Sequence, residues 1–176
     1  MVLHILGQQI SIPVAYILFD RLADAAGGIP TAEAVTGLGP EELRALGMTR
    51  AKAAYLLDLS SRVTNGTLDI ENLDRHSDDE AVAALIAVKG VGLWSAQMFL
   101  IHQLHRPDIL PAGDIGIRRA IANAWSLAEV PTIAAVTARG SAWAPYRTCA
   151  AAVLWQSLAY AEKLAAHPVP TAPGAA

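Results

Sequence analysis

Apolar and polar residues alternate with a helical period along most of the 176 residues of this chain. "SIPVAYILFDRLADAAGG" (11–28) repeats apolar side chains at Val14, Ile17, Leu18 and Leu22, on one helix face, and stops at Gly27-Gly28. Pro40 opens "PEELRALG" as a first-turn proline, and Gly47 closes it. Thr49 is placed to cap "RAKAAYLLDLSSRVTNG", which ends at Asn65-Gly66. "LDIENLDRH" (68–76) reads as a linker or a single turn. Ser77 and Glu80 form a Ser-x-x-Glu capping box before "AVAALIAV". A Gly-Val-Gly break then separates that helix from another over about 93–104. "HRPDILPAGD" (105–114) is a loop with two prolines, and helices follow at about 115–124, 132–139 and 145–164. No strand pattern and no repeat intervenes, so the predicted class is all-α. Residues 166–176 close on "HPVPTAPGAA", a composition expected to be disordered.

Composition narrows the picture. Hydrophobic residues make up 53% of the chain, enough for a real core in one domain or two small lobes. Cys149 is the single cysteine, so neither an internal disulfide nor a cysteine-ligated cluster can form, and a reducing, cytoplasmic setting is expected. No apolar run reaches the roughly 20 residues of a membrane helix. "MVLHILGQQIS" carries no secretion pattern. The net charge of −3 speaks against a broad basic surface for nucleic acid.

The break at "VKGVGLWSAQM" (88–98) answers that objection in part. A capped helix, a tight Gly-x-Gly turn and a second helix make a helix–hairpin–helix unit. Glycine permits the turn and leaves main-chain N–H groups uncovered at the start of the next helix, where the dipole favours an anion. A DNA phosphate could sit there without a basic side chain. The alternative is a plain connection between two packed helices. Asp114, in "LPAGDIGIRRA", follows a Pro-Ala-Gly loop and precedes a helix, so it can cap that helix while ionised. A fixed carboxylate suits chemistry that builds positive charge; a simple capping aspartate is the other reading.

"LIAVKGVGLWSAQMFL…ILPAGDIGIRRAI" resembles the helix–hairpin–helix/Gly-Pro-Asp superfamily of base-excision DNA glycosylases, and within it the 3-methyladenine DNA glycosylase II branch. "ILGQQIS" (5–11), "LGMTRAKAAYLLDLS" (46–60) and "WAPYRTCAAAVLW" (143–155) fit the same pattern in the same order. The resemblance implies a two-lobed helical bundle over 1–165, with lobe one at about 10–105 and lobe two at about 106–165 plus the N-terminus. It implies an active site in the cleft between the lobes. It further implies a monomer acting on double-stranded DNA with damaged bases, nucleoid-associated in a bacterium and without a membrane partner. The runner-up reading is a non-catalytic module that recognises distorted duplex.

Roles carry over by position. The resemblance makes Asp114 catalytic, stabilising the oxocarbenium character that develops as an N-glycosidic bond breaks. Trp94, two past Gly92, stands where strand-cutting relatives carry a nucleophilic lysine. The implied enzyme is therefore monofunctional and releases an alkylated purine of the 3-methyladenine or 7-methylguanine type. Trp94, Trp155 and Met98 are the implied pocket, with the aromatic rings stacking on a flipped, electron-poor base. Gln9 or its neighbour Gln8 takes the place of the wedge that fills the vacated stack; a solvated helix end is the plain reading of the pair. Lys89, Gly90, Gly92 and Arg118 are candidate DNA contacts, with Arg119, Arg50 and Lys52 alongside. The backbone carbonyls of Ile86, Val88 and Val91 match positions that hold a monovalent cation in relatives. No other cofactor is required, and no iron–sulfur cluster is expected. Two departures stand out: Lys89 replaces the usual proline, and relatives carry further chain ahead of "ILGQQIS" that packs on lobe two. The 115–164 segment is therefore expected to expose apolar side chains.

Overall fold

The computed structural model describes residues 1–166; of the tail expected to be disordered, 166–176, Ala166 ends the last helix and the rest lies outside the described residues. All regular structure among the described residues is helical. The chain divides into two compact units, Met1–His105 and a second beginning at Arg106.

The first unit contains α1 (Val2–Leu6), α2 (Ile12–Ala25), α3 (Ala32–Ala45), α4 (Arg50–Thr64), a 3-10 turn at Leu73–Arg75, α5 (Asp78–Ile86) and α6 (Leu93–His102). Side chains start these helices as the sequence requires. The Thr49 hydroxyl accepts from the Lys52 amide, and Ser77 and Glu80 satisfy each other's amides in a complete capping box. Each such cap stabilises its helix by about 1 kcal/mol. The core is aliphatic: Leu6, Leu22, Leu43, Leu56, Leu85 and Leu100 are fully buried. Burial of a leucine contributes about 2 kcal/mol.

Two features differ from the sequence reading. α3 starts at Ala32, capped by Thr31, and kinks at Gly39 (φ 71°) before Pro40 resumes the helix. The pattern marked only the half after Pro40, because "AEAVTGLG" holds one buried apolar residue, Val35, and two glycines that weaken its helical signal. The N-terminal segment was expected with lobe two. Instead α1 packs on α2 and α4 within the first unit. Ile5 and Leu6 are buried there, and the Lys52 ammonium donates to the Leu6 carbonyl at 2.6 Å. A five-residue helix has no stability of its own; this apolar contact and this one bond tie it to α4.

The second unit contains α7 (Ile115–Ala124), α8 (Ile133–Gly140), a 3-10 turn at Ser141–Trp143 and α9 (Arg147–Ala166). Ile117, Ile121, Val136, Ala151 and Leu154 form its core, with Trp143 and Trp155 packed against them. Trp125, Val130, Ile133, Val153 and Tyr160 remain exposed. Arg139 stacks on the Trp125 ring at 4.5 Å. No helix among the described residues is long and apolar enough to cross a membrane.

Candidate functional site

The hairpin between α5 and α6 is built by backbone geometry. Gly90 has φ 76°, and a Cβ there would overlap the Tyr55 ring of α4. Only glycine meets both conditions. The Val91 amide donates to the Val88 carbonyl at 3.1 Å and closes the turn. Gly92 is the N-cap of α6 and offers no side-chain cap. The first-turn amides of a helix have no intrahelical acceptor, and a Cβ at Gly92 would meet nothing within 4 Å. An anion therefore has both donors and room at this end of α6.

The structure separates the two adjacent glutamines. Gln8 Nε2 donates to the Gly90 carbonyl at 2.8 Å, which joins the segment after α1 to the hairpin. Gln9 is exposed and holds the left-handed conformation, φ 57°. A non-glycine residue there costs roughly 1–2 kcal/mol, so the fold pays to hold Gln9 in this pose.

In the second unit, Asp114 caps α7. Its Oδ1 accepts from the Ile117 amide at 2.9 Å and from Trp155 Nε1 at 3.1 Å. The carboxylate is thus gripped at one oxygen by its own helix and by α9. Gly116 makes room: a Cβ there would lie 2.9 Å from that same oxygen and 3.5 Å from the Trp155 ring. The loop leading to Asp114 is held by the start of α9. Arg147 donates through Nε and Nη2 to the two oxygens of Asp108, at 2.7 and 2.8 Å. The Arg147 guanidinium holds the Asp108 carboxyl below the usual carboxylate range. Thr148 Oγ1 donates to the Arg106 carbonyl at 2.7 Å and accepts from the Ile109 amide at 3.0 Å. One helix therefore fixes both the loop and the carboxylate at its end.

Other predicted residues take varied places. Trp94 is 49% exposed in the first turn of α6. Met98, one turn later, is 5% exposed and belongs to the core of the first unit. Lys89 is exposed, and its amide donates to Asp58 Oδ2 at 2.9 Å. Arg118 Nε donates to the Pro131 carbonyl at 2.8 Å, which ties α7 to the segment before α8; the neighbouring Arg119 is exposed. Lys52 is only 7% exposed, and burial lowers its pKa, so its ammonium serves the Leu6 carbonyl inside the fold. Among the described residues no group of three or more His, Cys, Asp or Glu side chains is placed to hold a metal. For a monovalent cation the donors are carbonyls: α5 ends at Ile86, at the negative end of its dipole. The Val88 carbonyl accepts one hydrogen bond and has a second lone pair. Such hard oxygens fit Na⁺ or K⁺.

A hairpin turned by Gly90 and Gly92 and a capped aspartate after a Pro-Ala-Gly loop belong to one pattern. The profile described as HhH-GPD superfamily base excision DNA repair protein matches residues 2–145. The chain belongs to this superfamily. DNA-3-methyladenine glycosylase 1 of Schizosaccharomyces pombe is 31% identical over 170 residues, covering 95% of this chain and 73% of that protein. The Bacillus subtilis protein YfjP is 32% identical over 161 residues, but this chain spans only 56% of its length. Among solved structures, the DNA-3-methyladenine glycosidase of Bacillus halodurans superposes with a TM-score of 0.84 at 32% identity, covering 92% of this chain and 76% of that one.

The candidate site also draws on several residues that the sequence did not single out. Tyr55 and Asp58 touch the hairpin from α4; Asp108 and Gly116 shape the surroundings of Asp114. Arg147 and Thr148 lie inside the quoted "WAPYRTC" stretch, but only the folded loop shows what they hold. Gly116, two residues beyond Asp114 at the start of a helix, is the one that sequence could have marked, because glycine is disfavoured inside helices.

Proposed function

We propose that this HhH-GPD protein is a monofunctional DNA glycosylase that hydrolyses the N-glycosidic bond of flipped, alkylated purines. The observation that carries the reading is the Asp114 carboxylate, held at one oxygen by the Ile117 amide and Trp155 Nε1. The relatives named as 3-methyladenine DNA glycosylases support it, one of them solved in complex with abasic DNA.

The chemistry follows from the leaving group. An alkylated purine already carries positive charge, so it departs without a strong general acid. The deoxyribose then takes on oxocarbenium character. A prepositioned carboxylate stabilises that charge and orients the water that attacks the sugar carbon. Asp114 needs no reorganisation to do so, because its rotamer is already fixed. Trp94 offers a half-exposed ring for stacking on the electron-poor base. A tryptophan cannot form a Schiff base, so the strand is left uncut. Gln9, exposed in its constrained pose, is the side chain inserted where the base has left. The amides at the start of α6 hold a backbone phosphate of double-stranded DNA. The carbonyls of Ile86, Val88 and Val91 would hold Na⁺ or K⁺ there.

Incubation with methylated duplex tests the reading. Free 3-methyladenine or 7-methylguanine should appear with wild type. Asp114→Asn can still accept the Ile117 amide, so it should bind duplex yet release almost no base. Duplex binding with no release by either protein would replace the enzyme by a damage-recognition module. Wild-type release by Asp114→Asn would remove the carboxylate from its role.

A further inference from the structure

We propose that Asp58 is a positioning residue for the hairpin: from α4 its carboxylate holds the Lys89 amide and fixes the pose in which the start of α6 meets a backbone phosphate. This rests on the hairpin being the phosphate site.

The hairpin has little of its own to define its shape. Its internal closure is the Val91 amide on the Val88 carbonyl. Three ties come from elsewhere in the first unit, and all fall on two consecutive residues. Lys89 N–H donates to Asp58 Oδ2 at 2.9 Å, the Gly90 carbonyl accepts from Gln8 Nε2 at 2.8 Å, and Gly90 lies against the Tyr55 ring. The Lys89 amide is taken by Asp58 and the Val91 amide by the Val88 carbonyl, so neither is offered to the phosphate at the start of α6. Among these ties, Asp58 supplies the charge-assisted hydrogen bond to the backbone.

The sign of that charge is informative. A carboxylate near an anion site repels the anion, so its presence there calls for a compensating gain. Arg62 Nε donates to the same Asp58 oxygen at 2.9 Å and screens it. Burial pushes the Asp58 carboxyl up, yet the Lys89 amide and Arg62 outweigh this and hold it below the usual carboxylate range. It is therefore an ionised acceptor at neutral pH. The bond also gives a reason for the residue at 89. A proline there has no N–H to donate, whereas any other residue, lysine included, does.

Fluorescence anisotropy with a duplex containing an abasic-site analogue reads the affinity, and base release from methylated duplex reads KM and kcat. Asp58→Ala should raise Kd and KM about tenfold, the loss expected of one hydrogen bond to a charged group, with kcat at saturating duplex unchanged. Asp58→Asn keeps an acceptor oxygen and should return both close to wild type. If Asp58 were only a nearby negative charge, both variants would bind duplex more tightly, which would overturn the proposal. Gly92→Glu places a carboxylate in the open space at α6 and should abolish binding. Wild-type affinity in Gly92→Glu would overturn the phosphate reading and this proposal with it. Loss in Gly92→Glu with none in Asp58→Ala would overturn the positioning alone. A measurement on the unaltered protein covers the case in which Asp58→Ala does not fold. The Lys89 amide should be protected from hydrogen exchange by its bond to Asp58, and an amide that exchanges as freely as an unbonded one would also overturn the assignment.

Discussion

Gly116→Ala is the smallest change that should disturb Asp114 without touching its chemistry. The new methyl would lie 2.9 Å from Asp114 Oδ1, where ordinary contact begins at 3.4 Å. The carboxylate must therefore retreat by about 0.5 Å, from 2.9 to 3.4 Å. The oxygen that is pushed is the one bonded to the Ile117 amide at 2.9 Å and to Trp155 Nε1 at 3.1 Å. A retreat of that size takes one or both bonds past good geometry. Each is charge-assisted, so the loss is about 2 kcal/mol of positioning per bond broken. Against this, alanine is preferred over glycine inside a helix by up to about 1 kcal/mol, and Gly116 does not have a positive φ that alanine would resist. The two effects act on different observables. Stability should fall by about 1–3 kcal/mol, because a helix gain of up to about 1 kcal/mol only partly offsets the loss of one or both bonds. The rate of base release should fall roughly 10- to 100-fold, since misplacement of a catalytic group by less than an ångström is costly. Single-turnover release from a methylated duplex, with urea unfolding alongside, separates them. A variant as fast as wild type would show that the fixed position of the carboxylate does not set the rate.

Two further outcomes follow from bonds and burial. Thr148→Val deletes the hydroxyl that links the Arg106 carbonyl and the Ile109 amide; urea unfolding should show a loss of about 2 kcal/mol, and Thr148→Ser should restore nearly all of it. His4 sits beside Phe99, and its pKa is lowered to about 4, by burial first and then by the nearby positive charges of the N-terminus and His102. The unfolded chain takes up that proton near pH 6.5 and the folded one only near 4. Stability from this residue is therefore complete above pH 6.5 and declines as pH falls towards 4; melting curves of His4→Phe should lack that part of the decline.

Much of the local structure was legible in the residues. Ser77 with Glu80, Thr49 and Asp114 announce helix starts because a cap is a contact over three residues, visible in the order of the chain. The Gly-Val-Gly break and the all-helical class are equally local, set by backbone freedom and by the 3.6-residue period. The motifs that mark the superfamily fall in this group.

The tertiary structure decided which side chain serves which task. Gln8 and Gln9 are alike in sequence, yet one bonds Gly90 and the other is exposed in a left-handed pose. Lys52 looks like a surface cation and is buried on the Leu6 carbonyl, 46 positions away. Arg147 and Asp108 are separated by 39 positions and Asp114 and Trp155 by 41, and nothing in local periodicity links them. The N-terminal helix joined the first unit because Ile5 and Leu6 found apolar partners there. The sequence determined by itself what each segment could form, because helix propensity, caps and turns are short-range. Which carboxylate is gripped, and by what, depended on hydrogen bonds and burial that exist only once distant helices have met.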